Sequence, residues 1–180
     1  MAGEGKTMAK FWDHITGEQA LLIRAAPLFF VGSADPLLEP GELGEGAVNV
    51  SPKGAVRLHL VDPRRVAYLD YPGSGNETAR HAAAGGPVTV MVCSFEPGDA
   101  AIVRLYGRAR VLPIDRCPYA GELEVAPGSA LANARQVVQI DVERTMTSCG
   151  YGVPVMELVR ERERADRGMK FKPAPARPTP

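Results

Sequence analysis

The chain has 180 residues, 45% apolar and 23% charged, and its 21 acidic side chains balance 21 basic ones. This is the profile of one compact, soluble domain. It gives no electrostatic case for nucleic acid or an acidic surface, and no apolar run approaches the roughly 20 residues that span a bilayer. Residues 1–10 lack the apolar core of a secretory signal, and Cys93, Cys117 and Cys149 have no CxxC pairing or histidine at a metal-like interval, so reduced thiols in a cytoplasmic protein without a metal site are expected.

Residues 1–10 are small and polar and are expected to be disordered. Thr16 or Gly17 can cap a short helix reaching Ala26, which Pro27 stops. Residues 28–33 predict a buried strand, and residues 34–46, with two prolines and three glycines, predict a loop. A short strand over 47–51 follows. Val56, Leu58 and Leu60 then alternate with Arg57 and His59, the period of a half-buried strand. Asp62-Pro63-Arg64-Arg65 is a turn into a strand over 66–71, and residues 76–84 predict a helix that Gly85-Gly86-Pro87 ends. Residues 88–95 form a core strand. Residues 102–112 alternate cleanly, with Val103, Leu105, Ala109 and Val111 on one side and Arg104, Tyr106, Arg108 and Arg110 on the other. Residues 113–133 are irregular, with one helical turn near 119–124. Val138, Ile140 and Val142 then mark a final strand, residues 155–167 a charged helix, and residues 170–180 an extended tail with four prolines. About seven strands joined mostly by short turns favour a mainly β, closed antiparallel barrel over a doubly wound sheet.

The chemistry concentrates in two segments. Asn49-Val50-Ser51-Pro52-Lys53-Gly54 offers a hydroxyl and a cation on one loop, and Gly73-Ser74-Gly75-Asn76-Glu77-Thr78 is a glycine turn opening a helix. Unpaired N–H groups at such a start favour an anion, so the pair reads as a phosphate cradle. The plainer reading of the turn is a capping box, with Ser74 as cap and Glu77 reaching back. Lys53 is equally a solvated turn lysine. Arg104, Arg108 and Arg110 form a basic stripe, ordinarily the wet side of a sheet, from which Arg104 is the best placed to reach an anion. Glycines flanking Tyr151 permit close approach to a planar group. Cys149 has no histidine near it in sequence, His81 reads as a surface residue, and no side chain stands out as a catalytic acid or base.

In order along the chain, these pieces resemble the FMN-binding split-barrel family related to pyridoxamine 5′-phosphate oxidase. The resemblance rests on Phe29-Phe30-Val31, residues 49–54, Tyr68-Leu69-Asp70-Tyr71 with residues 73–78, Leu105-Tyr106-Gly107-Arg108, and residues 148–154. It covers residues 11–167 as one domain and leaves 168–180 as a tail. It implies a homodimer of six- or seven-stranded barrels with one FMN in each of two clefts between subunits. The phosphate would then fall to Lys53 and the segment Ser74, Asn76 and Thr78, beside Ser51. The backbone of Tyr68, Leu69 and Asp70 would run along the ribityl and ring portion, and the Tyr151 loop of the partner subunit would cover the ring. The oxidase's arginine-rich motifs and C-terminal substrate sequence are absent, so the resemblance does not extend to oxidation of pyridoxamine phosphate. It implies an FMN-dependent oxidoreductase acting on a small molecule, with a reduced nicotinamide or other donor. A non-enzymatic flavin carrier or sensor is the alternative, and a deazaflavin- or haem-binding barrel a further one.

Overall fold

The computed structural model describes residues 9–42, 44–73, 75–126 and 130–162. Eight strands form one antiparallel sheet: β1 (Lys10–Trp12), β2 (Phe29–Ala34), β3 (Val48–Lys53), β4 (His59–Asp62), β5 (Arg65–Asp70), β6 (Pro87–Cys93), β7 (Ala101–Leu112) and β8 (Gln136–Cys149). The hydrogen-bonded order is β3-β2-β6-β7-β8-β5-β4, and β1 adds to the far half of β8. Two helices, α1 (Gly17–Ala25) and α2 (Glu77–Ala83), accompany the sheet. Among the described residues no helix is long and apolar enough to cross a membrane.

Local chemistry accounts for several boundaries. Thr16 is the N-cap of α1: its hydroxyl accepts from the Gln19 N–H at 3.2 Å, while the Thr16 N–H donates to Gln19 Oε1 at 3.0 Å. That reciprocal pair satisfies two orphan donors at the helix start. The Gln19 amide then donates to Thr147 Oγ1 at 3.1 Å and ties α1 to β8. Between β4 and β5, Asp62 Oδ1 accepts the Arg64 N–H at 2.8 Å, the local bond that makes aspartate a turn residue. The β7–β8 register shifts between Tyr106 and Gly107, where a Cβ on residue 107 would overlap the Asp141 carbonyl. Only glycine lets the two backbones approach so closely.

The core runs through the barrel, with Val31, Val66, Val90, Val92, Leu105, Val137 and Ile140 fully buried. Both faces of β5 are covered, since Val66, Ala67, Tyr68 and Leu69 are all buried. One face looks into the barrel. The other lies beneath the irregular stretch before β8, whose Cys117, Ala120, Leu123 and Ala126 join the same core. Tyr119 donates to Gln139 Oε1 at 2.6 Å and the Ala126 N–H to the Tyr71 hydroxyl at 3.3 Å, fastening that stretch down.

Several sequence expectations need correction. The ladder path is open: β3 and β4 are its ends and no ladder joins them among the described residues, so the barrel is split, as the family resemblance implied, and not closed, as the strand pattern alone favoured. The eighth strand, β1, begins at Lys10, a residue expected in a disordered leader; its pairing with Thr147 supplies order that local composition did not predict. Val56 and Leu58 are buried but precede β4, which starts at His59. The irregular stretch holds three single 3-10 turns, at Ile114–Arg116, Ala120–Glu122 and Leu131–Asn133. Residues 155–162 are not helical; the Met156 N–H donates to the Phe95 carbonyl at 3.1 Å and ties the start of the segment to the chain just past the end of β6. The remainder of that expected helix and the proline tail lie outside the described residues, as does Ser74.

Candidate functional site

Strand periodicity builds one wall of the site. On β3, Asn49, Ser51 and Lys53 fall at alternate positions and face inward, while Val48, Pro52 and Val50 turn outward, with Val48 and Val50 strongly exposed. On β5, Tyr68 and Asp70 share a face for the same reason. β3 and β5 share no ladder, and the space between them is roofed by the start of α2. There Asn49, Ser51, Lys53, Tyr68, Asp70, Asn76, Thr78 and Arg135 line a cleft of about 30 Å³.

Charge inside this cleft is balanced rather than positive. Asp70, only 8% exposed, accepts from Arg135 Nη2 at 2.6 Å and Nε at 3.2 Å and from Gln136 Nε2 at 2.8 Å, all on Oδ2. Its Oδ1 takes Lys53 Nζ at 3.4 Å. Gln136 also donates to Asn76 Oδ1 at 3.1 Å, and Asn49 Nδ2 meets Thr78 Oγ1 at 3.4 Å. Lys53 Nζ lies 5.5 Å from the centre of the Tyr68 ring, which packs edge-on against Phe29. The Tyr68 hydroxyl is buried with no hydrogen-bond partner among the described residues, and its acidity is suppressed first by burial and then by the nearby Asp70 charge.

The glycine turn also differs from its expected form. Asn76, not Ser74, is the N-cap of α2, and its side chain makes no capping bond. The Glu77 side chain bends back over the turn, so that a Cβ added at Gly75 would run into its carboxylate. α2 itself is short, seven residues from Glu77 to Ala83. His81, expected at the surface, is fully buried on α2, with Nδ1 2.9 Å from Ser33 Oγ and Nε2 without a partner among the described residues. Helix packing against β2 turned that face inward.

Of the residues singled out from the sequence, Ser51, Lys53, Tyr68, Asp70, Asn76 and Thr78 converge on the cleft. Leu69 does not: it is core on the opposite face of β5. Arg104 lies on β7, where it donates to Ser148 Oγ at 2.9 Å. Arg108 and Arg110 pair instead with Glu143 and Asp141 on the outer face. Tyr151 is 90% exposed in a turn after β8 and lines no part of this cleft. Sequence reading passed over Arg135 and Gln136. They lie 65 and 66 residues from Asp70, and the β5–β8 register, which pairs Asp70 with Gln136, is what delivers them.

Roomier hollows lie elsewhere. One of about 800 Å³ sits between the end of α1, residues 93–97 and residues 155–158, and one of about 480 Å³ adjoins it along Pro27, Phe95, Met156 and Leu158. The smaller of these two is chiefly apolar, whereas the larger is mixed, with Arg57, Ser94, Glu96 and Glu157 in its wall. The small cleft is the one in which the residues singled out from the sequence meet. Among the described residues no group of three or more His, Cys, Asp or Glu side chains could hold a metal ion.

This strand order and its split closure define the class: a split-barrel protein. A candidate pyridoxamine 5′-phosphate oxidase from Lactobacillus delbrueckii superposes with a TM-score of 0.53 at 22% identity, covering 74% of this chain and 94% of that one. A general stress protein 26-related protein of the pyridoxinephosphate oxidase family from Clostridium acetobutylicum gives 0.52 at 10% identity, over 73% and 86% of the two chains. At such identities the likeness is one of fold. No protein-family model matches the chain. In sequence it is 37% identical over 139 residues to the pyridoxamine 5′-phosphate oxidase family protein ustO of Aspergillus flavus, which spans 76% of this chain and 53% of the relative. The chain thus covers about half the length of that protein. The chain belongs to the pyridoxamine 5′-phosphate oxidase family of split-barrel proteins.

Proposed function

We propose that this protein is a homodimeric flavoprotein that binds FMN and serves as an oxidoreductase for a small molecule. The observation that carries the reading is the meeting of Ser51, Lys53, Asn76, Thr78 and Arg135 at one cleft, drawn from three separate stretches of chain. Hydroxyls, an amide and two cations are the donor set a phosphate monoester requires. The Tyr68 hydroxyl beside them, without a partner among the described residues, is a donor that a ligand's polar group could satisfy. When bound, the flavin would supply the hydride or electron chemistry. The chain's own residues would anchor the phosphate end, orient the ribityl portion along β5 and keep water from the reacting edge.

Two features support a second copy. β3 is an uncapped sheet edge that presents Val48 and Val50 outward, and the segment after β8 presents Val155, Met156 and Val159. Exposed apolar edges of this kind need cover. A dimer would also enlarge the about 30 Å³ cleft into a site with walls from two subunits, the Tyr151 turn among them.

Purified protein should carry flavin absorbance, yield FMN by mass spectrometry of the released cofactor, and run as a dimer in sedimentation. Anaerobic bleaching by a reduced nicotinamide, followed by turnover with an acceptor, identifies the oxidoreductase; stable flavin without turnover identifies a carrier. Lys53→Ala and Thr78→Ala should each weaken FMN retention by about tenfold, the lower end of what a hydrogen bond to a charged group contributes. A full flavin complement in both folded variants removes the phosphate assignment.

A further inference from the structure

We propose that Asp70 governs how strongly the cleft prefers anionic ligands, and that a phosphate monoester binds by taking Lys53 away from Asp70 while Arg135 stays with it. This rests on the flavin reading above and states what that same cleft discriminates.

The two oxygens of Asp70 are served unequally. Oδ2 receives Arg135 at 2.6 Å and Gln136 at 2.8 Å, within the range of short charge-assisted bonds. The Arg135 N–H also donates to the Asp70 carbonyl at 2.8 Å, so backbone and side chain fix this pair together. Among the described residues Oδ1 has only Lys53, at 3.4 Å, well outside that range. Arg135 is thus the committed counter-charge, and Lys53 the cation held loosely enough to change partners.

Room and charge point the same way. A cleft of about 30 Å³ matches one water's share of liquid volume, so a phosphate enters only if a side chain moves. Lys53, on a flexible four-carbon stem and resting over the Tyr68 ring, is the group that can swing. Two internal carboxylates already stand where the sequence suggested a ligand's anion: Asp70 against the cations and Glu77 over Gly75. In a buried setting a further negative charge next to Asp70 is opposed far more than in water. Removing the Asp70 charge therefore releases Lys53 and lifts that opposition together.

The test compares FMN with riboflavin, which share the ring and ribityl chain and differ by the phosphate, on wild type, Asp70→Asn and Lys53→Met. Asp70→Asn keeps the volume and an oxygen for Arg135. It is expected to raise the ratio of FMN to riboflavin affinity about tenfold or more, and Lys53→Met to drive that ratio towards one. A purely structural role for Asp70 would weaken both ligands alike and leave the ratio unchanged. If Asp70→Asn does not fold, Asp70→Ser carries the same expectation. The wild type gives an independent reading: because phosphate replaces one anion on Lys53 with another, the ratio should hold within about twofold from about 0.05 to 0.5 M KCl. A ratio that is unchanged or lower in a folded Asp70 variant, or that falls steeply with salt, overturns the exchange alone. A wild type that binds neither flavin removes the flavin reading and this proposal with it.

Discussion

Replacing Arg135 by Gln and Lys53 by Met should have very different effects on stability, although both side chains pair with the same carboxylate. Arg135 gives Asp70 Oδ2 one bond at 2.6 Å and another at 3.2 Å, with side-chain exposures of 29% and 10% for the pair. A hydrogen bond to a charged group contributes about 1.5–3 kcal/mol, and breaking a fully buried pair costs about 3–5 kcal/mol. Partial exposure of Arg135 and the surviving Gln136 bond bring the expected loss for Arg135→Gln to about 2 kcal/mol. Lys53 at 3.4 Å makes a poor bond, so Lys53→Met should cost under about 0.5 kcal/mol. Urea unfolding of flavin-free protein, with Asp70→Asn added to each variant, reads out both coupling energies. A Lys53–Asp70 coupling equal to or larger than the Arg135–Asp70 coupling would refute the division of labour between the two cations.

Three further outcomes follow from the geometry. Gly107→Ala places a methyl against the Asp141 backbone at the β7–β8 register shift and should cost about 3 kcal/mol in urea unfolding; a loss under about 0.5 kcal/mol would mean the shift lies elsewhere. Cys149 is exposed whereas Cys93 and Cys117 are buried, with burial pushing the Cys93 thiol pKa up, so a thiol reagent should label Cys149 first and the others only on unfolding, as peptide mapping would show. The Tyr119 phenol is pushed from 10.0 up to about 12, first by burial and then by Cys117. Its neutral form therefore contributes stability that is complete below pH 10 and lost as pH rises through about 12. Tyr119→Phe should flatten that alkaline decline in unfolding midpoint, and an unaltered decline would contradict the assignment.

Much of the fold was readable residue by residue. The alternation of Val103, Leu105 and Ala109 against Arg104, Tyr106 and Arg108 became β7, and Pro27 closed α1 where its ring and missing N–H require. The segments around residues 49–53, 68–70 and 76–78 carried enough chemistry to be chosen as site pieces, and they meet in one cleft. Other readings failed where distant contacts outweighed local preference. Residues 155–162 have a helix-like charge pattern but are not helical, with Met156 bonded instead to Phe95, and Lys10 is ordered by pairing with Thr147, more than 130 residues away. His81 followed its helix face into the barrel wall, something a seven-residue amphipathic pattern cannot announce.

Periodicity, turn chemistry and capping act over a few residues, so strand positions, the α1 cap and the grouping of Asn49, Ser51 and Lys53 on one side of β3 are properties of local sequence. The electrical character of the cleft is not. Read from the chain, Lys53 suggested a positive pit; folded, the pairing of β5 with β8 brings Arg135 to Asp70, and Asp70 in turn takes hold of Lys53. Coulomb energy depends on separation in space and on burial, and both are set by strand register, which no short window of sequence contains.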